Sequence, residues 1–304
     1  MGDEKKSVLT PTIAPNSVQA WLLAARPKTL TGAAVPVLIG GAAAASDRLS
    51  SFLWPPFLLC LAFAMLMQVA ANFVNDYYDF KKGTDTAERL GPARACAQGW
   101  VTPRAMLAAI AIVFVLACGA GLPLILYGGW GMIAVGAGCM LFCVLYTTFF
   151  SYAGMGDLLV LLFFGLIPTG FTYYIQMHTI TLPVVSLALA SGLAIDCLLI
   201  VNNFRDRDTD AATGKHTLVV QWGARFALAH YLLCGVAAWL LCLPMLFSGH
   251  PWAFVLPVFY LLLHLHTWRR MKKIDHGRAL NAMLGETSRN MLLFGLLLSA
   301  GLLL

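Results

Sequence analysis

The chain has 304 residues, of which 60% are hydrophobic and 11% charged, with a formal net charge of +6. Soluble domains carry about 25% charged residues, so this composition excludes an ordinary soluble fold and fits a chain embedded in a bilayer. Its apolar stretches are continuous rather than alternating, which excludes a transmembrane β-barrel and predicts an all-α membrane protein.

Residues 1–19 form a polar N-terminal leader without an apolar core, so no cleavable signal is expected. Residues 20–304 read as a single intramembrane domain. At about 20 residues per span, hydropathy places nine helices, over 20–45, 53–76, 103–126, 129–148, 157–176, 181–204, 224–247, 252–270 and 283–304. The turn-like YGGW at 127–130 separates the third from the fourth. The eight cysteines are scattered without a CxxC pair and read as small packing residues. The seven histidines contain no HxxxH or HExxH pattern.

Basic residues orient the spans. The leader and the mouth of the first span carry Lys5, Lys6, Arg26 and Lys28. The loop after the second carries Lys81, Lys82, Arg89, Arg94 and Arg104. Arg205, Arg207, Lys215 and Arg225 follow the sixth span, and Arg269, Arg270, Lys272, Lys273, Arg278 and Arg289 follow the eighth. Thus 19 of the 20 basic residues fall on the N-terminal side and only Arg48 falls opposite. The positive-inside rule makes that side cytoplasmic. A multi-pass protein of the cytoplasmic (inner) membrane is expected, with its N-terminus facing the cytoplasm.

The acidic residues crowd the same face, at the ends of the second and sixth spans. In NFVNDYYDFKKGTD, Asn72, Asp76 and Asp79 lie at i, i+4 and i+7, with Gln68 one turn earlier. In DCLLIVNNFRDRDTDAATGKHT, Asp196, Asn203, Asp206 and Asp210 lie at i, i+7, i+10 and i+14, and Asp208 falls off the stripe. Each cluster closes an even-numbered span, suggesting two related halves that offer carboxylates to one cytoplasmic cavity. A single such cluster could equally be helix caps or solvated loop. Two clusters, with Asp196 inside an apolar run, favour a functional site.

Facing carboxylates repel unless cations compensate. Oxygen donors without His or Cys suit a hard ion, above all Mg²⁺, which bridges carboxylates to substrate phosphates. Arg94, Arg205 and Lys215 stand close in sequence and suit phosphate oxygens. Together with an apolar cavity these features describe a site for a lipid diphosphate. A secondary transporter also uses related halves around a central cavity, but places its polar residues near the midplane; here they gather at one face.

The sequence resembles the UbiA-type intramembrane prenyltransferases. Asn75, Asp76 and Asp79 match that family's NDxxD first motif, and Asp206 and Asp210 its DxxxD second motif. Gly83 stands where a third acidic residue often occurs, and Asp85 comes two later. That displacement is similar to the branch that prenylates 1,4-dihydroxy-2-naphthoate in menaquinone synthesis. So are WLLAARPKTLTGAAVPVLIG, ERLGPARACAQGWVTP, YAGMGDLLVLLFFG, NNFRDRDTDAATGKHTLVVQWG and LNAMLGETSRNMLLFGLLLSAGL. YTTFFSYAGMGD lacks the Gly-Pro-rich segment expected after Tyr-Thr.

The resemblance implies nine helices around a central cavity, with both Asp-rich motifs at the cytoplasmic face. It implies Mg²⁺, with Mn²⁺ able to substitute, held by Asp76, Asp79, Asp206 and Asp210. Asn72, Asn75, Asn202 and Asn203 would share or orient that shell, and Arg94, Arg205, Lys215 and Lys82 would neutralise a polyprenyl diphosphate. The implied reaction alkylates 1,4-dihydroxy-2-naphthoate with loss of CO₂, giving demethylmenaquinol; another aromatic acceptor is the alternative. Arg26 and Lys28 are expected either to attract the acceptor or to snorkel as topology anchors. Tyr146, Tyr152 and Asp157, in the loop after the fourth span, are candidate substrate contacts. No nucleic acid and no obligate protein partner is inferred.

Overall fold

The computed structural model describes residues 13–83 and 89–304, and Asp85 lies outside them. All regular structure among the described residues is helical, without a strand. Among the described residues, seven helices are long and apolar enough to cross a membrane, as the composition requires.

The first span is broken. A short helix α1 (Val18–Ala25) ends at Arg26, which takes a left-handed conformation (φ 51°). Pro27 follows, and α2 (Leu30–Asp47) then crosses. The expected span over 20–45 is present as Val18–Asp47, with the break inside it. Pro27 has no N–H for a continuing helix. The Thr29 N–H turns to the Arg26 carbonyl, and the Ala25 carbonyl it would have met accepts instead from Asn72 Nδ2 at 2.8 Å. A break at membrane depth is tolerated where neighbouring side chains meet the freed backbone groups.

Helix α3 (Trp54–Lys82) has 29 residues and ends at Gly83 in the left-handed region. At 1.5 Å per residue it is about 44 Å long, well beyond the roughly 30 Å hydrocarbon core. Helix α4 (Pro103–Gly121) is followed by α5 (Gly131–Leu145), which widens into a π turn over Tyr146–Phe150. Helix α6 (Gly156–Met177) contains a second π turn at Leu162–Leu166. Helix α7 (Leu182–Ala212) has 31 residues and, like α3, overruns the bilayer. The motifs of the second and sixth spans therefore sit on the last turns of long helices.

Helix α8 (Leu218–Leu240) starts about a turn and a half earlier than hydropathy suggests and kinks at Gly223 (φ 83°). Two further helices, α9 (Val258–Ile274) and α10 (Leu280–Leu303), close the bundle. Helix α9 has 17 residues and ends in Lys272 and Lys273; α10 carries Glu286 and Arg289 in its first half. Neither is among the seven strongly apolar helices.

The apolar packing divides into clusters around a hollow interior. One joins α2, α6, α7, α8, α9 and α10 through Val35, Tyr173, Leu187, Ala238, Tyr260 and Phe294. Another joins α1, α3, α4 and the 95–101 loop through Ala24, Phe73, Val101 and Met106. Between them lies a cavity of about 1400 Å³.

Candidate active site

The cavity narrows to a polar end built from both motif helices. Four side chains of α3 reach it, Gln68, Asn72, Asn75 and Asp79. At about 100° per residue these four lie within roughly 40° of one another's mean direction. Helix α7 contributes Asn202, Asn203, Arg205, Asp206 and Asp210, and Lys215 follows from the next loop. Arg26, Lys28, Arg94 and Tyr146 also line the wall. The structure thus brings together nearly all the residues singled out by motif.

Three carboxylates at this end each meet a cation. Arg94 Nη2 donates to Asp79 Oδ2 at 2.9 Å. Arg205 grips Asp206 with two bonds, Nε to Oδ1 at 2.7 Å and Nη2 to Oδ2 at 2.6 Å. Lys215 Nζ stands 3.3 Å from Asp210 Oδ1. Burial works against the Lys215 charge, but the carboxylates of Asp210 and Asp79 outweigh it and hold its pKa above the ordinary lysine value. Lys215 therefore stays cationic and feels both motifs at once.

Asp76, Lys82, Tyr152 and Asp196 stand off the cavity wall. Asp76 is buried and takes two backbone hydrogen bonds, Ala95 N–H at 2.9 Å on Oδ2 and Cys96 N–H at 2.8 Å on Oδ1. Arg26 Nη2 lies 3.8 Å away. On the helical wheel Asp76 is turned about 40° from Asn72, away from the side on which Asn75 and Asp79 lie. That rotation aims it at the loop that returns from α3 to α4. Lys82 is exposed; its Nζ donates to the Thr148 carbonyl at 3.1 Å and lies 3.9 Å from the Tyr152 ring centre. Asp196, expected on the stripe of Asp206 and Asp210, faces α8 instead.

The amides divide between cavity and scaffold. Asn72 also donates to Thr29 Oγ1 at 2.9 Å, tying α3 to the break in the first span. Asn75 Oδ1 accepts from Thr147 Oγ1 in the π turn of α5. Asn202 and Asn203 face the cavity from α7.

Sequence reasoning passed over Asn281 and Arg89. Asn281, at the start of α10, accepts from Arg205 Nη1 at 2.8 Å and donates to the Leu90 carbonyl at 2.8 Å. Its partners lie 76 and 191 residues away, so no local spacing marks it. Arg89 lines the cavity from the segment after the first motif; it was counted only as a topology charge.

The donor set fits a hard divalent cation. Asp79, Asp206 and Asp210, with amide oxygens of Asn75, Asn202 and Asn203 nearby on the same wall, are all oxygen ligands. The three paired cations show that the site holds negative charge which the protein must balance.

Residues 33–297 match the UbiA prenyltransferase family. The chain is 34% identical over 305 residues to the 1,4-dihydroxy-2-naphthoate octaprenyltransferase of Escherichia coli (strain K12), covering 94% of this chain and 96% of that protein. It is 36% identical over 290 residues to the enzyme of the same name from Mycobacterium tuberculosis (strain ATCC 25618 / H37Rv), covering 94% and 97%. A solved UbiA homolog from Archaeoglobus fulgidus, bound to DMAPP and Mg²⁺, superposes with a TM-score of 0.64 at 12% identity, covering 92% of this chain and 99% of that one. With a family match across most of its length and relatives above 30% identity end to end, the chain belongs to the UbiA prenyltransferase family.

Proposed function

We propose that this protein transfers a polyprenyl group from polyprenyl diphosphate to 1,4-dihydroxy-2-naphthoate with loss of CO₂, giving demethylmenaquinol and diphosphate. The observation that carries the reading is the joining of an apolar cavity of about 1400 Å³ to a polar end where Asp79, Asp206 and Asp210 face Arg94, Arg205 and Lys215. A long apolar tail needs the first feature and a diphosphate needs the second. The names of the Escherichia coli and Mycobacterium tuberculosis relatives support the acceptor.

Asp79, Asp206 and Asp210 would hold Mg²⁺, with Asn75, Asn202 and Asn203 as neighbouring oxygen donors; Mn²⁺ has the same preference for oxygen. When bound, the metal supplies charge neutralisation for the departing diphosphate. Asp76 is a positioning residue, holding the 95–96 backbone and with it Arg94. Arg94, Arg205 and Lys215 can exchange carboxylate oxygens for diphosphate oxygens as charge grows on the leaving group. Asn281 keeps the Arg205 guanidinium oriented for that exchange. Apolar side chains deeper in the cavity, among them Phe63, Met67 and Phe171, exclude water from the allylic cation. Arg26 and Lys28 at the mouth of the first span provide positive charge for the naphthoate carboxylate.

The chain would cross the inner membrane nine times, with α9 and α10 as the last two spans and the polar end of the cavity on the cytoplasmic side. The test is purified protein with Mg²⁺, a mid-length prenyl diphosphate and a panel of aromatic acceptors, without any ion gradient. Prenylated naphthoquinol and CO₂ are expected; turnover of a different acceptor alone would reassign the substrate.

A further inference from the structure

One cluster of titratable side chains lies beside the cavity but outside the diphosphate end. Asp157, at the start of α6, lines the cavity wall. His230 of α8 stands behind it, with Nδ1 3.8 Å from Asp157 Oδ1. The other ring nitrogen, Nε2, lies 3.9 Å from Oδ2 of Asp196 on α7. Asp196 is 1% exposed, and its Oδ1 has no hydrogen-bond partner among the described residues. The Cys234 thiol is 3.9 Å from Oδ2, and Phe226 stacks on the imidazole at 5.2 Å between ring centres. A Cβ on Gly156 would stand 3.6 Å from the Tyr146 hydroxyl, so this phenol sits over the turn that carries Asp157.

A carboxylate at the cavity wall, an imidazole 3.8 Å behind it and a second carboxylate 3.9 Å behind that stand in the base–orienter order used in acid–base catalysis, each pair less than 1 Å beyond hydrogen-bond distance and His230 Nδ1 without another partner among the described residues. An unpaired carboxylate oxygen this deep costs free energy, and neither the diphosphate end nor the packing of α7 on α8 accounts for it. We propose that Asp157, oriented by His230 and Asp196, takes the hydroxyl proton of the aromatic acceptor during prenyl transfer and returns it after decarboxylation. The inference rests on the acceptor reading above.

The chemistry demands such a store. The prenyl C–O bond breaks and its electron pair leaves with diphosphate. The ring carbon bearing the carboxylate bonds to the prenyl carbon, the adjacent hydroxyl becomes a carbonyl, and its proton passes to Asp157. The bond to the carboxylate carbon then breaks and CO₂ leaves. The electron pair of that bond restores the aromatic ring as an oxyanion, which recovers the proton from Asp157. No net proton is consumed, so one group that lends and regains a proton suffices. Asp157 touches the substrate in this scheme; His230 and Asp196 act through it as positioning residues.

The experiment uses purified full-length protein with Mg²⁺, prenyl diphosphate and naphthoate. Wild type, Asp157→Asn, Asp157→Glu and His230→Asn are compared for kcat, for KM toward each substrate, and for diphosphate release without acceptor. General acid–base catalysis contributes about 10²–10⁴-fold. Asp157→Asn is therefore expected to lose about 10²-fold or more in kcat. Its prenyl diphosphate KM and acceptor-free diphosphate release should change by less than about threefold on the same argument. Asp157→Glu should regain much of the rate, and His230→Asn should show an intermediate loss. Unchanged kcat in Asp157→Asn overturns the proposal. So does loss of acceptor-free diphosphate release in parallel with kcat, which would mark a structural role. If Asp157→Asn does not fold, a folded Asp157→Glu without activity overturns it as well. The ligand atoms of Asp196, His230 and Cys234 lie within 4.8 Å of one another. One equivalent of zinc retained by wild type and lost on Cys234→Ser would assign the cluster to a metal and also overturn the relay. Wild type that fails to prenylate naphthoate would instead refute the acceptor reading itself.

Discussion

At the scale of single residues, Asp79, Asp206 and Asp210 line the polar end of the cavity while Asp76 bonds the 95–96 backbone beside it. Asp79, Asp206 and Asp210 each pair with a cation, and on the proposed reading a diphosphate recruits these cations. Replacing Asp206 by Ala is expected to lower kcat about 10²–10³-fold, the usual cost of losing a preorganised electrostatic group, with a folded protein by thermal unfolding. Near-normal turnover would remove the second motif from the mechanism. Asp76→Ala should behave differently. It strands two buried N–H groups, at roughly 1–3 kcal/mol for each unsatisfied group, so both the unfolding temperature and kcat should fall. An Asp76→Ala protein that keeps its unfolding temperature while losing turnover would return Asp76 to the metal-holding set. Lys215→Met and Arg205→Met should reduce kcat in prenyl transfer with little change in naphthoate KM, because charge builds on the diphosphate and not on the acceptor. A raised naphthoate KM at constant kcat would place both residues in the acceptor site instead.

At the scale of elements, the site depends on how closely α6 approaches α7. A Cβ on Gly165 would lie 2.6 Å from the Ala188 carbonyl oxygen and 2.9 Å from Gly192 Cα. Small residues at such crossings let two membrane helices pack backbone to backbone. The crossing also sets Asp157 on α6 against Asp196 on α7. Gly165→Ala is expected to destabilise by about 1–3 kcal/mol, the range for overpacking. Gly170→Ala, whose Cβ would meet nothing within 4 Å, should be neutral. Equal unfolding temperatures for the two variants would show that the crossing can relax. The π turns of α5 and α6 belong to the same scale, since the first carries Tyr146 and Thr147 into the cavity region. Periodicity could not locate them, because one extra residue in a turn leaves the apolar pattern of a lipid-facing helix unchanged.

At the scale of the whole molecule, topology follows from charge. The motif ends of α3 and α7, the break before α2 and the start of α10 meet at one end of the cavity, through the contacts of Asn72 with Ala25 and of Arg205 with Asn281. Asp47 at the far end of α2 is occupied by the Tyr173 hydroxyl at 2.5 Å. With the eight native cysteines replaced, a cysteine introduced at Lys273 should react with an impermeant thiol reagent only from the cytoplasmic side. Cysteines at Ser46 and Ser248 should react only from outside. Reversed accessibility at all three positions would overturn the orientation.

The sequence by itself determined the class of molecule, both carboxylate motifs, and the places of the seven helices long and apolar enough to cross a membrane. These are local properties: hydropathy, charge and spacing along one helix. Tertiary structure alone decided which carboxylates face the cavity. Helical spacing leaves Asp76 and Asp79 on one broad stripe, and only the returning 95–96 backbone, which donates two N–H groups to Asp76, draws it off the cavity wall. The same holds for Asp196, which spacing aligns with Asp206 but α8 claims through His230. Asn281 was decided there too, because its partners lie on α7 and in the loop before α4. A buried polar group is assigned by whatever donor or acceptor the fold brings within about 3 Å, and distance along the chain does not encode that.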